Sequence, residues 1–357
     1  MSWVGYRKFK VYSKIPEAEN VCSFYLSPLD GKPLPPYLPG QYLTFQFHMP
    51  GEEKPVIRCY SLSDSPNHPD HYRITVKKIL PPPNRPNDPM GRVSSFLVDA
   101  VFENDVLEVK APAGVFCLHP KGKSPVVLLA GGIGITPLLC MLNTLIESGS
   151  QRDIWFFLGV RNRKEHVMKE HLEQVAREHK NVHLNVCYSR PSDDDIKGQD
   201  YQFAGHVNVD LLKQVLPLQN YNFYLCGPES MMAALRTGLK EWGVPENRIW
   251  YEKFGSGPPA LEKPPPDISP GKSKAIQITF KNSNKTILWD GSDSILEFAE
   301  ANGIALDFGC RSGNCGTCSV KVLSGEVEYQ DIPSADIEED HCLACSAVPK
   351  TDLVLDA

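Results

Sequence analysis

Four cysteines constrain this chain more than any other feature of it. Cys310-Arg311-Ser312-Gly313-Asn314-Cys315-Gly316-Thr317-Cys318 spaces three of them as C-x4-C-x2-C, and Cys345 follows near the C-terminus. Three thiolates in one loop with a fourth on a returning segment is the plant-type ligand arrangement for a [2Fe–2S] cluster. The fold must therefore bring Cys345 back to the loop. Cys315-x2-Cys318 with Cys342-x2-Cys345 would also make a zinc-ribbon-like set. Cys310 has no role in that set, yet it opens the run at the cluster's spacing. Gly309, Gly313 and Gly316 would let backbone N–H groups curl around sulfur, although zinc loops carry glycine too. Iron–sulfur is the expectation, with Cys310, Cys315, Cys318 and Cys345 as metal ligands and Cys342 as a core thiol.

Around this loop, residues 273 to 357 resemble a plant-type ferredoxin domain. Ala275 to Phe280 alternates like a strand, and Lys285 to Trp289 reads as its hairpin partner. Asp293 to Gly303 reads as a short helix capped at both ends. Cys342 to Pro349 resembles the family's closing segment, which places the fourth ligand at Cys345.

The chain has 357 residues, enough for two or three domains, and 41% of them are hydrophobic. No apolar run approaches the roughly 18 residues needed to span a bilayer, and Met1 to Lys8 lacks the apolar core of a signal peptide. Four cysteines needed as thiolates argue for a reducing compartment, so a cytoplasmic location without membrane association is expected. Residues 273 to 357 carry 14 acids and 6 bases, a balance of −8 against −6 for the whole chain. That acidity would steer toward a basic partner or simply keep the domain soluble. No basic stripe suggests nucleic acid. A proline- and glycine-rich stretch at 255 to 272 reads as a semi-rigid linker. Oligomeric state is not encoded in any motif.

Residues 1 to 120 read as a β domain. Tyr42 to Phe47, Tyr72 to Ile79 and Val106 to Lys110 are strand-like, with Gly- and Pro-bearing turns between them, which suggests a small barrel. Arg58-Cys59-Tyr60-Ser61-Leu62-Ser63 resembles the R-x-Y-S flavin motif of the ferredoxin–NADP reductase superfamily. Pro39-Gly40-Gln41-Tyr42, Gly91 to Leu97 and Ala111 to Phe116 resemble three further segments of that family, in its order. The resemblance implies that Arg58 pairs with a flavin phosphate, Tyr60 packs on the ring and Ser61 bonds near its N5. It also implies that Gly91, Val93 and Ser94 cradle the pyrophosphate at a helix start, with Cys59, Val76 and Lys77 among the flavin contacts. The chain departs from the family at Leu80 to Met90, a proline-rich insertion where the adenine half of FAD would rest. FAD is nevertheless expected over FMN, because the motifs resemble the FAD-using, flavohaemoglobin-like members.

Residues 121 to 254 alternate strand and helix. The apolar strand Pro125 to Ala130 runs into Gly131-Gly132-Ile133-Gly134-Ile135-Thr136-Pro137 and then a helix from Leu138 to Glu147. Thr136 as N-cap with Pro137 at the first helical position is a good helix start, where a dinucleotide can meet backbone amides. The stretch resembles the superfamily's nicotinamide loop and implies that Gly131, Gly132, Gly134 and Thr136 bind the nucleotide. Cys226-Gly227-Pro228 resembles its C-G-P motif, which implies Cys226 beside the nicotinamide ring with Gly227 and Pro228. Phe254 stands where the family places an aromatic against the flavin. Ser61, Cys226 and Phe254 are thus the implied catalytic residues. Arg161, Arg163, Lys164, Ser189 and Arg190 are candidates for a 2′-phosphate. No acidic residue is evident for a 2′-hydroxyl, so both NADH and NADPH stay open, with NADH favoured.

These resemblances imply a multi-domain α/β plus β architecture: a flavin-binding β-barrel, a doubly wound parallel nicotinamide domain and a β-grasp ferredoxin domain. They imply an NAD(P)H-dependent reductase that passes electrons through FAD and a [2Fe–2S] cluster to a protein acceptor. The domain order resembles reductase components of multicomponent oxygenases, such as phenylacetyl-CoA and Rieske dioxygenase systems, and hybrid-cluster-protein reductases. An oxygenase or hydroxylase component is the expected acceptor; a hybrid-cluster protein, cytochrome or ferredoxin is the alternative. A redox sensor without turnover is a third reading, opposed by the intact set of motif residues.

Overall fold

A computed structural model describes residues 3, 5–51, 55–68, 70–81, 85–118, 122–254, 276–292, 294–309, 311, 313, 316–329, 333, 335 and 337–357. The chain forms two compact units, one of residues 1–56 and 60–254, the other of 57–59 and 255–357. The linker at 255 to 272, together with Ala275, Asp293, Cys310 and Cys315, lies outside the described residues.

The first unit starts with a long antiparallel hairpin, β1 (Arg7–Ala18) and β2 (Val21–Pro28). Asn20 turns it with a φ of 60°, a conformation that Asn tolerates better than most residues. The sequence reading did not anticipate this pair. Pro16 sits inside β1 and masks its alternation, and the register shifts between Pro16 and Ala18 to accommodate it. β3 (Tyr42–Phe47), β4 (Val56–Ser61), β5 (Tyr72–Lys77) and β6 (Val106–Val109) complete a sheet in the order β4-β3-β6-β1-β2-β5. A bridge between Leu62 and Ile74 joins its two ends, which makes the expected barrel. Phe9, Phe24, Phe45, Leu62 and Ile74 fill its interior. Helix α1 (Arg92–Ala100) turns Val93 and Leu97 into the same core.

The second lobe of this unit contains β7 (Val126–Gly131), α2 (Ile135–Glu147), β8 (Ile154–Val160), α3 (Lys169–Glu178), β9 (Val182–Tyr188) and β10 (Phe203–Ala204). They are followed by α4 (Val209–Val215), β11 (Asn222–Gly227), α5 (Glu229–Glu241) and β12 (Ile249–Lys253). All neighbouring strands are parallel, in the order β10-β9-β8-β7-β11-β12. The order reverses between β7 and β11. In open parallel sheets, ligands bind beyond the strands' carboxyl ends at such a switch point. The two lobes share their packing: Cys140 of α2 is buried in the barrel's core, and Val21 of the barrel is buried in the core of the second lobe.

In the second unit, β13 (Gln277–Phe280), β14 (Lys285–Leu288), helix α6 (Ile295–Ala301) and β15 (Ser319–Ser324) come first. Then come β16 (Val327–Tyr329), β17 (His341–Leu343), β18 (Ala347–Pro349) and β19 (Leu353–Leu355). The main sheet is mixed, in the order β14-β13-β19-β15-β17, with β16 and β18 as a separate pair. Phe280, Phe298 and Leu355 pack between sheet and helix, the β-grasp arrangement. Ser294 caps α6 by accepting from the Glu297 N–H at 3.2 Å. Among the described residues, no helix is long and apolar enough to cross a membrane.

Candidate functional site

The loop after β7 is fixed by the loop after β11. A Cβ added at Gly134 would lie 2.3 Å from the Cys226 carbonyl oxygen, and one at Gly131 would lie 2.6 Å from Pro228 Cδ and from Met231 Sδ. The two predicted nucleotide motifs thus meet backbone to backbone, and only glycine fits between them. Gly132 adopts a φ of 51° as the chain turns into α2. Gly134, not Thr136, is the N-cap of α2, and no side chain caps it. Thr136 lies two residues further in, where its hydroxyl donates to the Ile133 carbonyl at 3.1 Å. The 3-10 turn over Gly132–Gly134 moves the helix start forward, which the sequence pattern did not reveal. The first-turn amides of α2 are left without a side-chain acceptor, as an anion site requires.

On the barrel side, Arg58 donates from Nη1 to the Ile57 carbonyl at 2.7 Å, and Cys59 is half-buried beside it. Tyr60 packs edge-on against Phe45, with ring centroids 5.7 Å apart. Val76 is buried on β5. Helix α1 is capped at Gly91 without a side-chain bond. Ser94 spends its hydroxyl on backbone, donating to Gly91 O at 3.0 Å and accepting from Ile79 N at 3.1 Å. It shapes the helix start rather than offering a free donor. Phosphate oxygens fit the uncapped amides of this first turn, with Arg92 at its first position. Of the proline-rich insertion, residues 82–84 lie outside the described residues; Arg85 and Asp88 pair at 3.3 Å.

Ser61, at the end of β4, donates to Glu252 Oε2 at 3.3 Å. Glu252 is the register partner of Cys226 across β11 and β12. The predicted flavin strand and the predicted nicotinamide strand therefore converge on one carboxylate. Complete burial, then the Glu252 charge, push the Cys226 thiol well above the ordinary range, so it is a neutral, compact group. Cys117 is pushed up to about 11 by the same two causes in the same order. Phe254 follows β12 and is 37% exposed, accessible to a planar partner. Glu252 was missed in the sequence because a lone acid beside an aromatic carries no spacing signal.

Lys77, expected among the flavin contacts, reaches across to Glu165 at 2.6 Å. Arg161, expected near the nucleotide, pairs with the other oxygen of Glu165 at 3.0 Å. Burial alone would raise the Glu165 carboxyl, but Lys77 and Arg161 hold it below its ordinary value. Ser189 donates to the Val160 carbonyl at 3.4 Å, and the Arg190 backbone N–H donates to Arg161 O at 2.8 Å. The structure thus brings Arg161, Ser189 and Arg190 to adjacent strand ends. Glu165, four residues past Arg161, is the acid the sequence had not revealed there.

In the second unit, the thiols of Cys318 and Cys345 are buried and 3.1 Å apart. The Gly313 N–H donates to Cys345 Sγ at 3.3 Å. Convergent soft donors with a backbone N–H on sulfur suit an iron–sulfur cluster. Cys310 and Cys315, the other expected ligands, lie outside the described residues. Cys342 is fully buried in the core, as expected, with its thiol pushed up to about 12 by burial first.

Comparison with known proteins covers all three regions. An oxidoreductase FAD-binding domain matches residues 9–117, an oxidoreductase NAD-binding domain 128–237, and a 2Fe–2S iron–sulfur cluster binding domain 278–350. A flavohemoprotein of Halalkalibacterium halodurans is 42% identical over 258 residues, covering 71% of this chain and 61% of that protein. The chain thus spans about three-fifths of the length of the curated relatives it matches. The flavohem-like FAD/NAD binding domain of nitric oxide dioxygenase from Vibrio cholerae O1 biovar El Tor is 32% identical. That match covers 71% of this chain and 100% of that one, with a TM-score of 0.62. Phthalate dioxygenase reductase, described as a modular structure for electron transfer from pyridine nucleotides to [2Fe–2S], is 26% identical. It covers 99% of this chain and 98% of its own, with a TM-score of 0.59.

Proposed function

Because this chain belongs to the ferredoxin–NADP reductase superfamily, as a member with a C-terminal 2Fe–2S domain, we propose that it carries electrons from NADH to a protein acceptor, an oxygenase or hydroxylase component. The observation that carries the reading is Ser61 on Glu252 at 3.3 Å, with Cys226 as the register partner of Glu252. When bound, a flavin supplies two-electron hydride chemistry and a [2Fe–2S] cluster supplies one-electron transfer.

The remaining work falls to the chain's own side chains and backbone. Tyr60 and Phe254 offer aromatic faces to a flat ring, and Ser61 presents a hydroxyl oriented by Glu252. The uncapped start of α1 at Gly91, with Arg58, takes the flavin's phosphates, and that of α2 at Gly134 takes the nucleotide's. Cys226, Gly227 and Pro228 give the nicotinamide a surface with no charged side chain. Cys310, Cys315, Cys318 and Cys345 hold the cluster, with the Gly313 N–H on one sulfur.

The test is an anaerobic visible titration with NADH, followed by acceptor assays on Cys345→Ser. The flavin and iron–sulfur bands should both bleach. The variant should lose nearly all reduction of a cytochrome or protein partner while still oxidising NADH with a small chemical oxidant. A variant that drives the partner at the wild-type rate would mean that the cluster is not the outlet.

A further inference from the structure

Doubly wound nucleotide lobes read the adenine ribose near the end of the strand beside the dinucleotide loop. An acid there accepts from a 2′-hydroxyl, and an arginine there suits a 2′-phosphate. In this chain that strand is β8, and Arg161 follows it directly. Arg161 is 57% exposed and would serve a phosphate well, yet its Nη1 lies 3.0 Å from Glu165 Oε1. The other oxygen of the same carboxylate is 2.6 Å from Lys77 Nζ, which comes from the barrel. One acid therefore holds a cation from each lobe.

The neighbouring charges are largely committed too. Arg163 lies 3.8 Å from Asp200, and Lys169 lies 3.3 Å from the same carboxylate. Arg190 is exposed and tied to Arg161 through the backbone at 2.8 Å.

We propose that Glu165 is a donor-selecting residue that biases this nucleotide site against a 2′-phosphate. A phosphate at Arg161 must either displace the Glu165 carboxylate from its cations or sit close to a like charge. A 2′-hydroxyl meets neither obstacle and can donate to a carboxylate instead. Arg190 leaves a fallback cation, so the effect is a bias rather than exclusion. The inference rests on the reading of this lobe as a nicotinamide-nucleotide site.

Calorimetric binding of adenosine 2′,5′-bisphosphate and of 5′-AMP to the full-length chain isolates the 2′ position without relying on turnover. Glu165→Gln should tighten the bisphosphate relative to 5′-AMP by about five- to tenfold, the scale of one partly screened charge contact. Glu165→Asp, which keeps the charge, should restore most of the wild-type ratio. The kcat/KM ratio of NADPH to NADH should rise in parallel for Glu165→Gln, through KM rather than kcat. Glu241→Gln, a charge removed from the exposed end of α5, should leave both ratios within about twofold.

If Glu165→Gln shifts the ratio no more than Glu241→Gln does, Glu165 does not read the 2′ position. If neither adenine ligand binds any form of the chain, the nicotinamide reading falls and this inference with it. Loss of acceptor reduction with nucleotide binding intact would count only against the proposed electron path.

Discussion

In the nicotinamide lobe, Gly134 has no room for a Cβ, because the Cys226 carbonyl would lie 2.3 Å away. In the second unit, a Cβ at Gly316 would meet nothing nearer than Ala335 Cβ at 3.9 Å, but the residue holds a φ of 73°. Gly313 and Arg311 share that left-handed backbone, with φ of 70° and 56°. Arg311 is held there by its guanidinium, which pairs with both carboxylate oxygens of Glu300 on α6 and lies 4.0 Å over the Phe308 ring. Close approach thus decides for glycine at Gly134 and backbone conformation at Gly316, while Gly132 and Gly313 also hold a positive φ. The first loop is set by two hydrogen-bonded parallel strands and by the close approach of Gly134 to Cys226. In the second, the thiols of Cys318 and Cys345 lie 3.1 Å apart among the described residues, and a metal bound by such donors would couple its binding to folding of the loop.

This contrast is broken most directly at Gly134. Gly134→Ala should destabilise the first unit by about 3 kcal/mol or more, because the new methyl meets backbone that cannot yield. Urea unfolding of the full-length chain followed by tryptophan fluorescence measures it. A wild-type midpoint together with normal nucleotide binding would mean that the two strands do not fix the loop.

The change at Gly313 should be smaller and confined to the second unit. Gly313→Ala forces an alanine into a φ of 70° and sets its methyl 2.9 Å from Ser346 Oγ and 3.0 Å from Pro333 Cβ. The backbone cost alone is about 1–2 kcal/mol. Iron and sulfide per chain should fall, while flavin content and 5′-AMP binding stay at wild-type levels. A parallel loss of flavin would show that the effect is not local, and the contrast between the loops would fail.

The elements readable in the sequence are those whose signal is local. The apolar run into β7 and the glycines after it announced a strand, a turn and a helix, because each step depends on neighbouring residues. The strand-like run Tyr42 to Phe47 likewise announced β3. What was hidden depends on partners far away in sequence. Thr136 looks like an N-cap until the 3-10 turn at Gly132–Gly134 takes that place. Lys77 looks like a flavin contact and Arg161 like a phosphate cation until Glu165 is seen between them. Glu252 acquires a role only when β12 lies beside β11 and Ser61 arrives from the barrel. The β1–β2 hairpin was obscured by Pro16, which a bulged register absorbs.

The smallest expected effect sharpens the view that the two lobes of the first unit behave as one packed body. His71 stacks on His68 with ring centroids 5.4 Å apart, and its Nε2 lies 3.5 Å from Asp64 Oδ2. His68 in turn reaches Glu147, at the end of α2, at 3.2 Å. Asp64 also accepts from Asn143 of α2 at 3.3 Å, so this cluster spans both lobes. The Asp64 carboxylate 3.5 Å away raises the His71 pKa against the opposing pull of burial, with Asp70 adding to the rise. Burial would raise the Asp64 carboxyl, but His71 and Arg73 hold it well below the usual range, so it stays ionised at neutral pH. A group whose folded pKa is raised contributes stability that is full below its unfolded value and lost as pH rises through the folded one. The wild type should therefore lose stability relative to His71→Gln as pH rises from about 6.5. The loss should be under about 1 kcal/mol, since the cluster is partly solvated. Urea midpoints of both proteins across that range give the difference directly. A difference that is flat with pH would mean that the His71 pKa is the same in the folded and unfolded chain, so that its charge adds nothing to this link between the lobes.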